Sequence, residues 1–256
     1  MNVRVRPLLR CLAALIICAS PVGCSARSRG TAAATTPSAP TRVTLHAALT
    51  SPVDATLTWA GGSDRGAAGH AVEFATAPGG PYTLLQYLPA AQHAYHHPRL
   101  MPQTPFYYRL RPYYGPASSA VEVDLPRGGP SSKDKKDDNV WARPRTIRSG
   151  HAPATGSLRV PGAGTPTGLR ATAVRANGIR FTWTDHARDE QGWLLELRTR
   201  GSSAYRVVAV LAPDINSFGL STLPDEKHAF YRVRAFYYGA RSNIAHVTTG
   251  KAPDGS

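Results

Sequence analysis

The chain has 256 residues with 22 Pro, 23 Gly and only 18% charged residues. It shows no heptad repeat and no sustained helical period, which excludes coiled coils and long helices and favours short strands with many turns. Its formal charge of +14 selects acidic partners, and its three cysteines, Cys11, Cys18 and Cys24, leave no disulfide or Cys-ligated metal site to anything folded downstream.

Residues 1–23 read as a signal peptide. Arg4, Arg6 and Arg10 precede the apolar run Cys11 to Ala19, which is too short to cross about 30 Å of hydrocarbon. Ser20-Pro21-Val22-Gly23-Cys24 follows. It resembles the lipobox of bacterial lipoproteins, in which the Cys is lipidated and becomes the mature N-terminus, so Cys24 is the candidate lipidation residue. Pro21 departs from that pattern, where Leu is usual, and ordinary signal cleavage, for instance after Ala26, is the alternative. The first reading implies an exported, membrane-anchored chain, because a diacylated Cys is a two-chain anchor. The second implies a secreted, extracellular one. Residues 24–40 are rich in Ser, Thr, Ala and Gly and read as a disordered tether.

From 41 to 126 short alternating runs recur between turn signals, as in a β-sandwich. Ala55, Leu57 and Trp59 share one face of a strand, and Thr56 and Thr58 the other. His70, Val72 and Phe74 form the next inward set, with Glu73 outward. Later strands are expected near Tyr82 to Leu88, His93 to His97, Phe106 to Arg111 and Ser118 to Leu125, the last closing the domain.

The order returns from 165 to 250, offset by 123 residues where Phe230 to Ala235 matches Tyr107 to Pro112. Asn177-Gly178 is a hairpin signal between two strands. Ile179, Phe181 and Trp183 point one way; Trp193, Leu195 and Leu197 form the next inward set. Ile244 to Thr248 is the expected closing strand, and 251–256 is a tail. The strand Trp residues (Trp59, Trp183), the run Trp183-Thr184-Asp185 with Asp189, Glu190 and Gly192, and the Tyr-Arg-Val/Leu-Arg segments at Tyr108 and Tyr231 resemble fibronectin type III domains. The resemblance implies an all-β fold: two immunoglobulin-like sandwiches, each of three strands against four, with Trp59, Trp183, Trp193, Tyr108 and Tyr231 in the cores. His70 replaces the family's aromatic in the first repeat. The family's tyrosine-corner position falls on Phe106 and Ala229, which predicts a looser corner in the second.

Residues 127–164 hold eight Lys or Arg against three Asp and little apolar content, and read as a disordered basic linker. Its Trp141 is open to two readings: contact with sugar or lipid, or folding back on a neighbouring domain.

No catalytic signature is present. Asp185, Asp189 and Glu190 fit turn and loop capping better than a pair of carboxylates flanking a cleft. His93, His96 and His97 lack a fourth ligand at a sensible spacing, so no metal and no cofactor is expected. The feature with functional content is a repeated outward face: Arg109, Arg111 and Tyr113 in one repeat, Arg232, Arg234, Phe236 and Tyr238 in the other. It reads either as cross-strand pairing with Glu73 and Glu196 or as a surface for an anionic cell-envelope or extracellular polysaccharide. Export argues against nucleic acid. The function expected is a non-catalytic spacer or adhesion unit at the cell surface; the alternative is an accessory protein of extracellular polysaccharide degradation.

Overall fold

The computed structural model describes residues 42–60, 66–126, 128–129, 131–132, 134, 139–147 and 154–251. The signal peptide, Cys24, the tether and most of the Lys/Asp run at 133–138 lie outside them. The described residues form an all-β fold. The first repeat gives β1 (Thr44–Ser51), β2 (Asp54–Ala60), β3 (Gly69–Ala75), β4 (Thr83–Pro89), β5 (Ala94–His97), β6 (Pro105–Tyr114) and β7 (Val121–Asp124). The second gives β8 (Thr167–Arg175), β9 (Gly178–Thr184), β10 (Gly192–Thr199), β11 (Arg206–Leu211), β12 (Ser217–Ser221), β13 (His228–Tyr238) and β14 (Ala245–Thr248).

Alternation along the strands sets the layers. Ala55, Leu57 and Trp59 are buried from β2, and Ile179, Phe181 and Trp183 from β9. The sheet β1-β2-β5 packs through these residues on β3, β4 and β6, and the sheet β12-β9-β8 packs on β10, β11 and β13. Tyr108, Tyr231 and Trp193 lie fully inside, with Trp193 in contact with Trp183 at 5.5 Å between ring centroids.

Neither sandwich closes with its own last strand. β14 runs along β6, with Ala245 opposite Tyr108 and Val247 opposite Phe106. β7 runs along β13, with Val121 opposite Tyr231 and Val123 opposite Ala229. Ala245 and Val247 therefore join the first core, while Val123 and Leu125 join the second. The domain boundaries 41–126 and 165–250 need this correction: the closing strand of each repeat belongs to the other sandwich. The cause lies at the C-terminal ends of β6 and β13, which pair with each other through Tyr113 and Tyr238 and through Tyr114 and Tyr237. The chain leaving β6 does not reverse; Ala117 bridges to Arg234 and the Ser118 amide donates to Val233 O at 2.8 Å. The chain leaving β13 does the same in mirror order, with the Ser242 amide donating to Leu110 O at 2.8 Å. Gly115 makes the crossing possible. Its φ is +127°, and a Cβ there would lie 2.0 Å from the carbonyl oxygen of Ala235.

Two further expectations change. The described parts of the linker are packed, not disordered. Trp141 sits over Gly178 and Gly219, where any Cβ would meet its ring at 2.7 Å. Arg145 exchanges backbone hydrogen bonds with Ser217 and covers the outer edge of β12, a protection that exposed edges need. Leu158 enters the second core, held by Asp189, which accepts from its amide and from Ser157 Oγ at 2.7 Å each. The second sandwich also has a fixed corner. The Tyr231 hydroxyl, two residues beyond the expected position, donates to Glu226 O at 2.7 Å. Its counterpart Tyr108 contacts His97 Nδ1 at 3.1 Å instead.

Candidate binding surface

The outward residues of β3, β6, β10 and β13 assemble into two ladders. Glu73 stands directly across from Arg109, and Glu196 from Arg232. In the first ladder Arg109 Nε donates to Glu73, and Arg111 Nη1 lies 3.7 Å from the other carboxylate oxygen. In the second, Glu196 accepts from Arg232 Nε at 2.5 Å and from Arg234 Nε at 2.8 Å. Aromatic rings stack on the guanidinium groups: Tyr82 on Arg109 at 3.9 Å, Tyr238 on Arg111 at 4.0 Å and Tyr205 on Arg232 at 3.7 Å. Each Glu serves two Arg, so each ladder keeps one positive charge in excess. Planar guanidinium groups suit both the carboxylate fork and the ring faces.

These ladders are not an open ligand surface. Tyr113 and Phe236 are each only 2% exposed. They pack with Ala71, Tyr87 and Leu194 into a third apolar cluster between the two sandwiches. Tyr238 crosses over to touch Tyr87 and Arg111 of the first repeat, and Arg234 Nη1 donates to Gly115 O at 2.5 Å. The expectation that all seven residues present a solvent face is corrected on this ground: strand exchange folds the two outer faces toward each other. Sequence reasoning missed Tyr87, Ala71 and Leu194, whose outward apolar side chains are the readable sign of a second packing face.

Histidines 93, 96 and 97 do not converge. Their Nδ1 atoms contact Ala91 O, Thr56 Oγ1 and Tyr108 Oη respectively. Among the described residues, one group has three potential ligand atoms within 4.8 Å of each other: Asp185, Glu190 and Asp214. Burial pushes the Asp185 carboxyl up to about 6, against a lowering hydrogen bond from the Ala187 amide. Burial raises Glu190 too, although its Oε1 accepts from the Asp214 amide at 3.1 Å. The donors are those of a hard cation, yet the Asp185 and Glu190 carboxylates already accept from the amides of Ala187 and Asp214. Among the described residues no nucleophile is paired with a base there, and the hydrogen bonds present order the loops.

An Fn3-like protein from Clostridium thermocellum is 31% identical over 29% of this chain and 77% of that one, with a TM-score of 0.26. The chain belongs to the fibronectin type III family. The FN1-FN3 domains of chicken CNTN1 align over 83% of this chain and 67% of theirs at 12% identity and a TM-score of 0.25. A two-domain fibronectin type-III segment of chicken tenascin aligns over 82% of this chain and all of its own, at 12% identity and a TM-score of 0.24. No family model and no curated protein matches the chain.

Proposed function

We propose that this chain is an exported, non-catalytic spacer at the cell surface, held to the membrane through a lipid on Cys24. The observation that carries the spacer reading is the closure of the two sandwiches into one body, with Tyr113 and Phe236 buried between them and the guanidinium groups of both ladders already held by Glu73 and Glu196. A ligand carboxylate at either ladder has to displace an internal Glu that already makes two charge-assisted contacts. The basic start, the short apolar run and Gly23-Cys24 support the anchored address. The experiment is intact mass and detergent partitioning of the mature protein beside Cys24→Ala. An acylated N-terminal Cys in the detergent phase, lost in the variant, supports the reading. A soluble product cleaved beyond Cys24 overturns the anchor.

One observation favours a second reading, association with acidic extracellular polysaccharide: the unbalanced positive charge of each ladder. Salt-sensitive retention on an acidic glycan column, reduced by Arg109→Ala with Arg111→Ala, is the test. Equal retention of variant and parent removes that surface from consideration.

A further inference from the structure

The two exchanged strands occupy equivalent grooves, yet the side chains that hold them differ. On β7, Glu122 Oε1 accepts from Arg200 Nε at 3.0 Å and from Nη2 at 2.6 Å. Asp124 reaches Arg200 Nη2 at 3.9 Å and contacts His228 Nδ1. At the repeat offset of 123, Arg200 and His228 correspond to Ala77 and Pro105 of the first repeat. Returned to its own sandwich, this acidic strand would meet no cation at those positions. The β14 side is marked differently. Asn243 clamps Leu45 of β1 with both amide atoms, accepting from its N–H at 2.8 Å and donating to its carbonyl at 2.9 Å. His246 stacks on Tyr107 at 4.9 Å. The matching positions on the β7 side carry Ser119, too short for the double clamp, and Glu122.

We propose that the edge of β13 that β7 occupies is a strand-recognition site selective for an acidic extended strand, and that its partner is the other half of this chain. The halves bind through the exchanged strands themselves, so the covalent connection between β7 and β8 is dispensable once the chain has folded. Charge chooses β7 for the second sandwich, and the Asn243 clamp with His246 fits β14 to the first. An exported chain cut in its basic connector stays a single two-piece body.

The test uses the full chain with Cys11, Cys18 and Cys24 replaced by Ala and a protease recognition sequence inserted between Gly128 and Gly129. After complete cleavage, the halves are expected to co-elute on native size exclusion at the position of the uncut protein. Two separate peaks overturn the proposal. Contact between whole domains would also give co-elution, so a second measurement is needed. Directly opposed residues of an antiparallel pair lie within disulfide reach. Tyr107→Cys with His246→Cys should join the halves into one band on a non-reducing gel. Tyr107→Cys with Glu122→Cys should leave two bands, and a bond within the first half in that variant overturns strand exchange. Reversing charge with Glu122→Lys and Asp124→Lys should weaken association of the cut halves by about fivefold, the scale of an exposed ion pair, with recovery on adding Arg200→Glu. Arg200→Ala, which leaves the donor strand intact, should weaken it less. Unchanged association in every charge variant overturns the selectivity.

Discussion

Leu125 follows β7 in the first repeat, yet its side chain is 2% exposed in the core of the second sandwich. Leu125→Ala therefore tests the architecture. Truncating a buried Leu costs about 2–5 kcal/mol, with about 3 a central value. If the sandwiches melt as one body of about 200 residues, the unfolding entropy is near 0.42 kcal/mol/K, and a loss of 3 kcal/mol lowers the midpoint by about 7 °C. Were the repeats independent, each of about 100 residues, the same loss would move one transition by about 14 °C and leave the other in place. Differential scanning calorimetry separates the cases. The structure requires one transition for both proteins, with calorimetric and van't Hoff enthalpies equal for the whole body. Two resolved transitions, with the first repeat's displaced by Leu125→Ala, would refute the exchanged topology.

Glu196→Ala leaves Arg232 and the buried Arg234 without their carboxylate; the expected loss is about 3 kcal/mol in urea unfolding, and a loss within error of zero argues that the ladder is idle. Asp185 binds its proton more tightly when folded, so its stabilising contribution is complete below about 4 and lost as pH rises through about 6. Asp185→Asn should therefore be more stable than the parent at pH 7.5, by about 1 kcal/mol after discounting for solvent access, and equal at pH 4; melting curves across that range check the sign. Trp183→Ala removes a ring packed on Trp193 at a cost of about 3–5 kcal/mol, and Trp59, in the other sandwich, should lose its near-ultraviolet signal at the same lowered midpoint. Gly115→Ala combines a left-handed φ with a 2.0 Å approach to Ala235 O, and should lose more than the roughly 1 kcal/mol of an ordinary Gly exchange, read by the same melts.

Much of each sandwich is legible from period-2 alternation, because Trp59, Phe181 and Trp183 must face inward for their strands to bury anything. The packed linker is less so. Trp141 and Leu158 are apolar residues in a stretch with little other apolar content; Trp141 docks on the flat space over Gly178 and Gly219, which only the folded sheet creates, and Leu158 enters the second core. The corner falls on Tyr231, two residues downstream of Ala229, a shift that leaves no mark on composition. The binding surface is the sharpest lesson. Alternation does place Arg109, Arg111, Arg232 and Arg234 outward from their own cores. It is silent on whether outward means solvent.

Strand exchange answers that question, and the reason it escapes the sequence is physical. β7 and β14 present equivalent residues in the same register to β13 and β6, with Val121 opposite Tyr231 and Ala245 opposite Tyr108. Backbone pairing and core burial are therefore nearly degenerate between a strand that returns to its own repeat and one that crosses over. What breaks the degeneracy is small and lies outside the repeat signature. Glu122 and Asp124 find Arg200 and His228 on one sandwich only, Asn243 finds Leu45 on the other, and Tyr114 meets Tyr237, and Tyr87 meets Tyr238, where β6 and β13 lie edge to edge. Each contact is a surface or edge interaction of modest size. Their effect is to choose between two states that the larger apolar term leaves level. The third cluster then follows from that choice: Tyr113 and Phe236 are apolar on an outer face because the exchange gives that face something to cover it.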